Sequence, residues 1–190
     1  MRRLHELNSY QEALKEAERR VALLPRLPAV IRGEDRPRDD AERLTLARMC
    51  EARQFHAAAA RLFAAISETD ARQDQDGTES CRYEAACAAA QAAAGQGNDD
   101  PPLDDGAKTR LRSQALKWLK AERNAQAKLL DSGPPQARDF SARSLSMWKA
   151  DPDLAPLRDP AALAKLPLEE RQSWQAFWRD VDDLLKRAER

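Results

Sequence analysis

The side chains with the greatest capacity for catalysis or metal binding are two histidines and three cysteines, and they stand far apart in the sequence. A histidine acts as a general base only beside a nucleophile or a metal, and neither His5 nor His56 has such a neighbour in the sequence. Cys81 and Cys87 lie six positions apart without a second close pair, so they lack the spacing of a zinc site. We expect both histidines at the surface, and Cys50 and Cys87 as small buried apolar residues. A thiol nucleophile at Cys87, with a base brought close by the fold, stays open as an alternative.

The acidic segments do not form a recognisable cation site either. Residues 74–77 resemble the middle of a calcium-binding loop, but Arg72 occupies the first ligand position and Tyr83 the last, where a bidentate Glu is required. Aspartates cluster again at 99–105, and we interpret that segment as a solvated loop. The sequence therefore predicts no catalytic residue, no metal and no cofactor.

The overall charge disfavours partners that are held by excess positive charge. The chain has 190 residues, with 32 Lys and Arg against 32 Asp and Glu, so its formal net charge is zero. Nucleic acids and anionic membranes bind basic surfaces, and we expect neither as a partner. No apolar run approaches the roughly 18 residues of a transmembrane helix, and the basic start lacks the apolar stretch of a secretory signal. We expect a cytoplasmic protein with reduced thiols.

The residue types favour helices along the whole chain. Ala, Leu, Arg, Glu, Gln and Lys dominate, aromatic residues make up 5%, and no segment shows the two-residue alternation of a strand. Prolines and polar loops divide the chain into separate helices. We predict helices at 9–24, 39–52, 55–69, 78–94, 107–131, 137–149 and 160–163, and a last helix from 167 onward.

An apolar stripe marks the first of these helices. Ser9 and Glu12 have the capping-box spacing that predicts a helix start, and Pro25 and Pro28 are expected to end the helix. The stripe follows alternate steps of three and four residues, at Leu7, Tyr10, Leu14, Ala17, Val21 and Leu24. We interpret it as a face docked on a neighbouring helix. A coiled-coil seam, which would make the chain a homo-oligomerising structural protein, is the alternative.

The helix pair at 39–69 has the spacing of a degenerate tetratricopeptide repeat. Leu46 and Ala47 supply the leucine and the small residue of its first helix, and Cys50 stands where an aromatic is usual. Ala59 and Phe63 follow at the expected distances. We therefore predict an all-α fold, a tetratricopeptide-like helical repeat array (an α–α superhelix) with an irregular helical C-terminal cap. Its predicted parts are an N-terminal helix and linker at 1–38, tetratricopeptide-like helix pairs at 39–132 and the cap at 133–190.

A wider resemblance is carried by five runs of residues: RYEAACAAA at 82–90, AGQG at 94–97, RLRSQALKWL at 110–119, SGPP at 132–135 and WKADPDLAPLRD at 148–159. In order and spacing, over roughly residues 20 to 188, the chain resembles the tetratricopeptide-bearing C-terminal region of planctomycete-type bacterial serine/threonine protein kinases. In that family the region is a helical appendage, presumed to bind proteins, that is attached to a kinase domain elsewhere in the polypeptide. The resemblance implies a protein-binding role for this chain.

The parts of a kinase that perform catalysis do not occur in this sequence. Its six glycines stand singly and form no phosphate loop, no His-Arg-Asp motif occurs, and Arg138-Asp139-Phe140 is followed by Ser141 where the metal-binding motif needs glycine. Phosphoryl transfer requires nucleotide and metal to be held in line. We therefore expect a non-catalytic protein–protein interaction module, a scaffold or adaptor. The alternative is a truncated or split part of a kinase polypeptide that acts as its regulatory region.

The concave face of a repeat array, which the first helix of each pair lines, is the expected partner-binding face. On that basis the candidate binding residues are Arg43, Arg48, Glu51, Tyr83, Glu84 and Gln91. The expected partner is a protein of unknown identity, and we expect the chain to be a monomer or a weak homo-oligomer.

The four tryptophans fall on apolar stripes or beside helix ends, and we expect them to pack in the core. Trp174 and Trp178 lie one helical turn apart. Because one neighbouring helix cannot easily cover both, we expect one of the two to be partly exposed.

Overall fold

Helices form the secondary structure of the described part of the chain, and no strand occurs within it. The computed structural model describes residues 2–67, 81–134 and 136–190. The α-helices are α1 (Arg2–Leu23), α2 (Leu27–Arg32), α3 (Asp40–Glu51), α4 (His56–Ser67), α5 (Cys81–Ala93), α6 (Asp105–Ser132), α7 (Ala137–Ala150), α8 (Pro160–Leu163) and α9 (Leu168–Ala188). Two 3-10 turns, Leu24–Arg26 and Pro152–Leu157, complete the order. The predicted all-α class is confirmed.

Side-chain caps and left-handed residues set the helix boundaries close to the predicted ones. The Asp39 carboxylate accepts the Glu42 N–H at 2.7 Å and begins α3, and Asp104 accepts the Ala107 N–H at 2.6 Å and begins α6. Gly95 has a φ of +70° directly beyond α5, as expected for a helix end. The predicted caps Thr78 and Ser80 and the linker at 70–77 lie outside the described residues.

The alanine-rich helix α5 lies at the centre of the molecule. It packs against α4 on one side, α6 on another and the 3-10 turn Pro152–Leu157 on a third. Its alanines at 85, 86, 88, 89 and 90 are fully buried, and such small side chains let neighbouring helices approach closely. Helices α7 and α9 pack on each other and on α6, and the apolar residues of all these elements join in one core.

The N-terminal helix begins earlier than predicted, and the chain beyond its end also differs from the prediction. It begins at Arg2, so Ser9 lies inside the helix and does not start it. Pro25 ends α1 as expected, but Pro28 occupies the first turn of α2 instead of ending a helix. A proline has no N–H to donate, and the first turn of a helix is where that donor is not needed.

The apolar stripe of α1 does not dock on a neighbouring helix, so that interpretation is wrong. Its large side chains are exposed, with Tyr10 at 75%, Leu14 at 61%, Val21 at 66% and Leu24 at 41%. The contact with the rest of the protein is made instead by Leu23, which is buried in the core. An amphipathic period shows that one face is apolar, but it does not fix which residue anchors the helix.

Both tryptophans of α9 are buried, contrary to the expectation for one of them. The Trp178 indole Nε1 donates a 2.7 Å hydrogen bond to the Leu157 carbonyl, so the end of the 3-10 turn meets this side chain. Trp174 and Trp178 each contact Phe177 edge-on. The 3-10 turn after α7 therefore covers the tryptophan that one neighbouring helix would have left exposed.

Among the described residues, none of the helices combines the length and the apolar character required to cross a bilayer.

Candidate functional site

A cleft of about 350 Å³ opens where α3, α4 and α5 meet the start of the 3-10 turn at residues 151–153. Its lining combines an apolar base with a charged rim, and it consists of Arg48, Glu51, Ala52, Phe63, Tyr83, Glu84, Cys87, Asp151 and Asp153. A concave site with a few converging polar groups is the usual form of a binding site. We call this site the α3–α5 cleft.

Four of the six residues predicted for the partner-binding face line the α3–α5 cleft: Arg48, Glu51, Tyr83 and Glu84. The other two do not line it. Arg43 pairs with Asp40 in the first turn of α3, and Gln91 is buried against Asp153. The structure thus brings the last turn of α3 and the first turn of α5 together, and the two outer predicted positions do not line the cleft.

An ion pair bridges α3 and α5 at the rim of the cleft. The Arg48 guanidinium donates to the two carboxylate oxygens of Glu84, with an Nε–Oε1 distance of 3.1 Å and an Nη2–Oε2 distance of 3.4 Å. Arg48 is exposed, so water screens the pair and its net contribution to stability is small. The pair can open to admit another charged group at little cost.

Tyr83 connects the cleft to the C-terminal segment. Its ring stacks on Trp148 at a centroid distance of 5.5 Å and an interplanar angle of 18°. Its hydroxyl donates a 2.6 Å hydrogen bond to Asp151 Oδ2. Burial, assisted by nearby Cys87 and Asp151, raises the pKa of the Tyr83 phenol far above its ordinary range. Tyr83 is therefore a neutral, fixed donor.

The two aspartates of the 3-10 turn are held at the cleft by neutral donors. Asp151 Oδ1 accepts the Asp153 N–H at 2.9 Å, which caps the turn, and Gln91 Nε2 donates to Asp153 Oδ1 at 3.0 Å. Burial raises the pKa of Asp153, and the negative charges of Asp151 and Glu51 raise it further. The carboxylates of Asp151, Asp153 and Glu51 are thus close enough to repel one another.

His56 is buried at 8% exposure, so the expectation of a surface histidine is wrong for this residue. Its Nδ1 lies 3.1 Å from Glu51 Oε1, and this hydrogen bond, together with the charges of Glu51, Asp99 and Asp153, raises its pKa. The second oxygen, Glu51 Oε2, is buried without a hydrogen-bond partner among the described residues. His56 is therefore the hydrogen-bond partner of one carboxylate oxygen of Glu51, on the acidic side of the cleft.

The two cysteines expected in the core are indeed buried. Burial raises the pKa of the Cys50 thiol to about 11. The Cys87 Sγ lies 3.9 Å from Asp151 Oδ2. Burial and the negative charges of Asp151 and Asp153 raise the pKa of this thiol well above its ordinary range. Reactive cysteines need the opposite environment, one that stabilises a thiolate.

The charge of the cleft is strongly unbalanced. Four carboxylates line it, those of Glu51, Glu84, Asp151 and Asp153, and Arg48 is the one cation among the described lining residues. No group of three His, Cys, Asp or Glu side chains in the described part of the chain is arranged to hold a metal ion.

Sequence reasoning missed Asp151, Asp153, Phe63 and Cys87 as lining residues. Asp151 before Pro152 has the pattern of a helix cap, and its N-cap role was open to prediction. Its position at the cleft depends on a contact between residues 68 positions apart, for which a single sequence carries no signal.

In comparisons with known proteins, the chain matches no protein-family model, no curated protein and no solved structure.

Proposed function

We propose that this protein is a non-catalytic protein–protein interaction module, built as a tetratricopeptide-like array, and that the α3–α5 cleft binds a segment of its partner. The observation that supports this most directly is the shared lining of one cleft by Arg48 and Glu51 of α3 and by Tyr83 and Glu84 of α5. In helical-repeat arrays, the first helices of successive pairs line the concave surface that binds ligands.

The charge of the cleft indicates the chemistry of the partner. Glu51 has a buried carboxylate oxygen for which the described part of the chain supplies no donor. Glu84 can exchange its exposed Arg48 partner for another cation. A lysine or arginine side chain would satisfy both groups, and an arginine could do so with paired hydrogen bonds. The apolar lining of the cleft, which includes the buried Phe63, would contact the aliphatic part of such a side chain. The proposed ligand is a basic peptide segment.

The environment of the reactive side chains also favours binding over catalysis. Cys87 is held as a thiol beside carboxylates, and Tyr83 is held as a neutral phenol. His56 is bonded to Glu51 and not to a nucleophile. An activated nucleophile needs a base that can take its proton and an environment that stabilises its anion. The Asp151 carboxylate lies beside Cys87 and Tyr83, but burial and the nearby negative charges raise the pKa of both groups and so oppose formation of either anion.

The resemblance to kinase-appended helical regions extends the proposal to one kind of partner. It supports a role for the chain as the accessory or regulatory region of a bacterial serine/threonine kinase, acting on a catalytic chain in trans. Adding the purified chain to such a kinase would test this, because the alternative requires the kinase rate or its substrate choice to change.

A peptide selection tests the proposed binding function. A phage-displayed random peptide library is panned on the full chain, and the selected peptides are synthesised and titrated by calorimetry. We expect enrichment of lysine or arginine, and a loss of at least about ten-fold in affinity for the double variant Glu51→Gln, Glu84→Gln, which keeps the side-chain shapes and removes two charges.

The matched control is Glu189→Gln, the same change at an exposed residue after α9 that does not line the cleft. Its affinity should equal that of the unmodified chain. Selected peptides without basic residues, or equal binding to the double variant, would contradict the proposal.

A further inference from the structure

The exposed stripe of α1 is the largest row of apolar side chains that the described surface presents. Tyr10, Leu14, Val21 and Leu24 are all exposed, and Ala17 lies between them. At 3.6 residues per turn, these five positions fall within about 80° of arc on one side of the helix. Monomeric proteins seldom leave such a row open to water, and an interface is the usual reason for one.

Helix α1 receives little support from the rest of its own chain. Leu23 is buried and attaches the end of the helix to the core, whereas the described residues between Tyr10 and Ala22 are exposed apart from the half-buried Glu16. Glu16 pairs with Arg19 and Arg20 along the helix, and such exposed pairs contribute only tenths of a kcal/mol. An isolated helix of this length is marginal in water, so a second surface along the stripe would stabilise it.

We propose that this second surface is the same stripe of a second copy of the chain, packed in the antiparallel direction. In the usual a-to-d layers of an antiparallel coiled coil, a core residue i of one copy lies opposite core residue 31 − i of the other, so Tyr10 lies opposite Val21 of the second copy. The residues that flank the core pair between these layers. Leu14 lies opposite Ala17 of the second copy. Each layer then combines a large side chain with a smaller one, and the two-fold axis repeats every layer.

The direction follows from the sizes of the side chains. A parallel pair would stack Tyr10 on Tyr10, Leu14 on Leu14 and Ala17 on Ala17, so that two layers are crowded and one leaves a gap. Cores pack best when large and small residues alternate across facing positions. The flanking positions agree with the antiparallel direction, because Gln11 then faces Glu18 and Ala13 faces Arg20, and no like charges meet.

A groove of about 250 Å³ continues the stripe onto the body of the protein. Val21 and Leu24 lie on one side of this groove together with Arg20. The other side consists of Arg48 and Met49 of α3 and of Ala52 and Arg53, which follow that helix. The surface that the proposal requires is therefore continuous from α1 to α3.

The oligomeric state of the full chain tests the proposal. Sedimentation equilibrium over 1–200 µM should show a species of twice the 21.3 kDa chain mass. Leu14→Glu, which places a charge in the middle of the stripe, should abolish the dimer and leave the unfolding midpoint of a dilute sample within a few degrees of the unmodified chain. The control Arg19→Ala, half a turn from the stripe, should leave the dimer intact.

Disulfide trapping tests the direction. In a Cys81→Ser background, Leu14→Cys and Ala17→Cys variants are mixed in equal amounts and oxidised, and the products are identified by mass. The antiparallel arrangement predicts that the mixed 14–17 product dominates. A monomer throughout the concentration range, or a dimer that Leu14→Glu does not affect, would overturn the proposed dimer. A majority of 14–14 and 17–17 products would overturn the antiparallel direction. A stripe that is covered only when a different protein is bound would also contradict the proposal.

Discussion

The Tyr83 hydroxyl donates a 2.6 Å hydrogen bond to Asp151 Oδ2, and this contact joins the central helix α5 to the turn that follows α7. The same ring stacks on Trp148 at the end of α7. One side chain therefore fixes the C-terminal segment against α5 in both distance and orientation. Because Asp151 and Asp153 form one side of the α3–α5 cleft, the shape of the cleft depends on Tyr83.

Replacing Tyr83 by phenylalanine should destabilise the protein while keeping the ring stack. The change removes a hydrogen bond to a carboxylate, and such bonds contribute about 1.5–3 kcal/mol. We expect the free energy of unfolding, measured with urea, to fall by that amount. Tyr10→Phe is the matched control, because Tyr10 is exposed and the same oxygen is lost there to solvent. Equal stability of the two variants would show that the Asp151 contact contributes nothing.

The His56–Glu51 contact predicts a pH dependence of stability. The pKa of His56 is raised in the folded protein, chiefly by the hydrogen bond to Glu51, above its ordinary value of 6.5. Folding therefore favours the protonated ring. Its contribution is fully present below about pH 6.5 and is lost as the pH rises through the folded pKa. The stability difference between the unmodified chain and His56→Gln should be largest near pH 5.5 and should shrink toward pH 8.5.

Urea unfolding at a series of pH values measures this difference directly. Taking the difference between the two chains cancels the contributions of carboxylates that do not interact with His56. Asp99 and Asp153 do not cancel, because burial raises their pKa values and the charge of His56 lowers them, so the difference reports His56 together with these two neighbours. A difference that stays constant with pH, or that grows toward pH 8.5, would contradict the assignment of a protonated His56.

The helical part of the cleft could be predicted from the sequence because it follows a local period. Arg48 and Glu51 lie three positions apart on α3, so helix geometry places them on one face of that helix. Tyr83 and Glu84 lie in the first turn of α5, which packs nearby. The aspartates of the 3-10 turn could not be found in this way. Their position depends on how the segment after α7 folds back over α5, which is a tertiary contact.

The predicted exposure was wrong for His56 and for the apolar stripe of α1, where a loop or a single buried residue determines which side chains are covered. His56 stands alone in the sequence, and it is buried because the loop after α5 folds across it, with Asn98 N–H donating to the Gln54 carbonyl at 2.8 Å. Asp99 in that loop caps α4 through two contacts with the Ala57 N–H, at 2.9 and 3.1 Å. The sequence shows an acidic loop, and only the folded chain shows that one of its carboxylates has a structural partner.

Gly97 should be the least replaceable glycine of this loop. Its φ is +91°, and a Cβ added there would lie 2.3 Å from the Gln54 carbonyl oxygen and 2.5 Å from His56 Cδ2. Gly95 also has a positive φ, +70°, but a Cβ there would meet nothing within 4 Å. Gly95→Ala should therefore cost only the backbone strain of about 1–2 kcal/mol. Gly97→Ala adds a clash with backbone and should cost about 3 kcal/mol or more. Urea unfolding of the two variants measures the contrast, and equal losses would mean that the loop does not lie on His56.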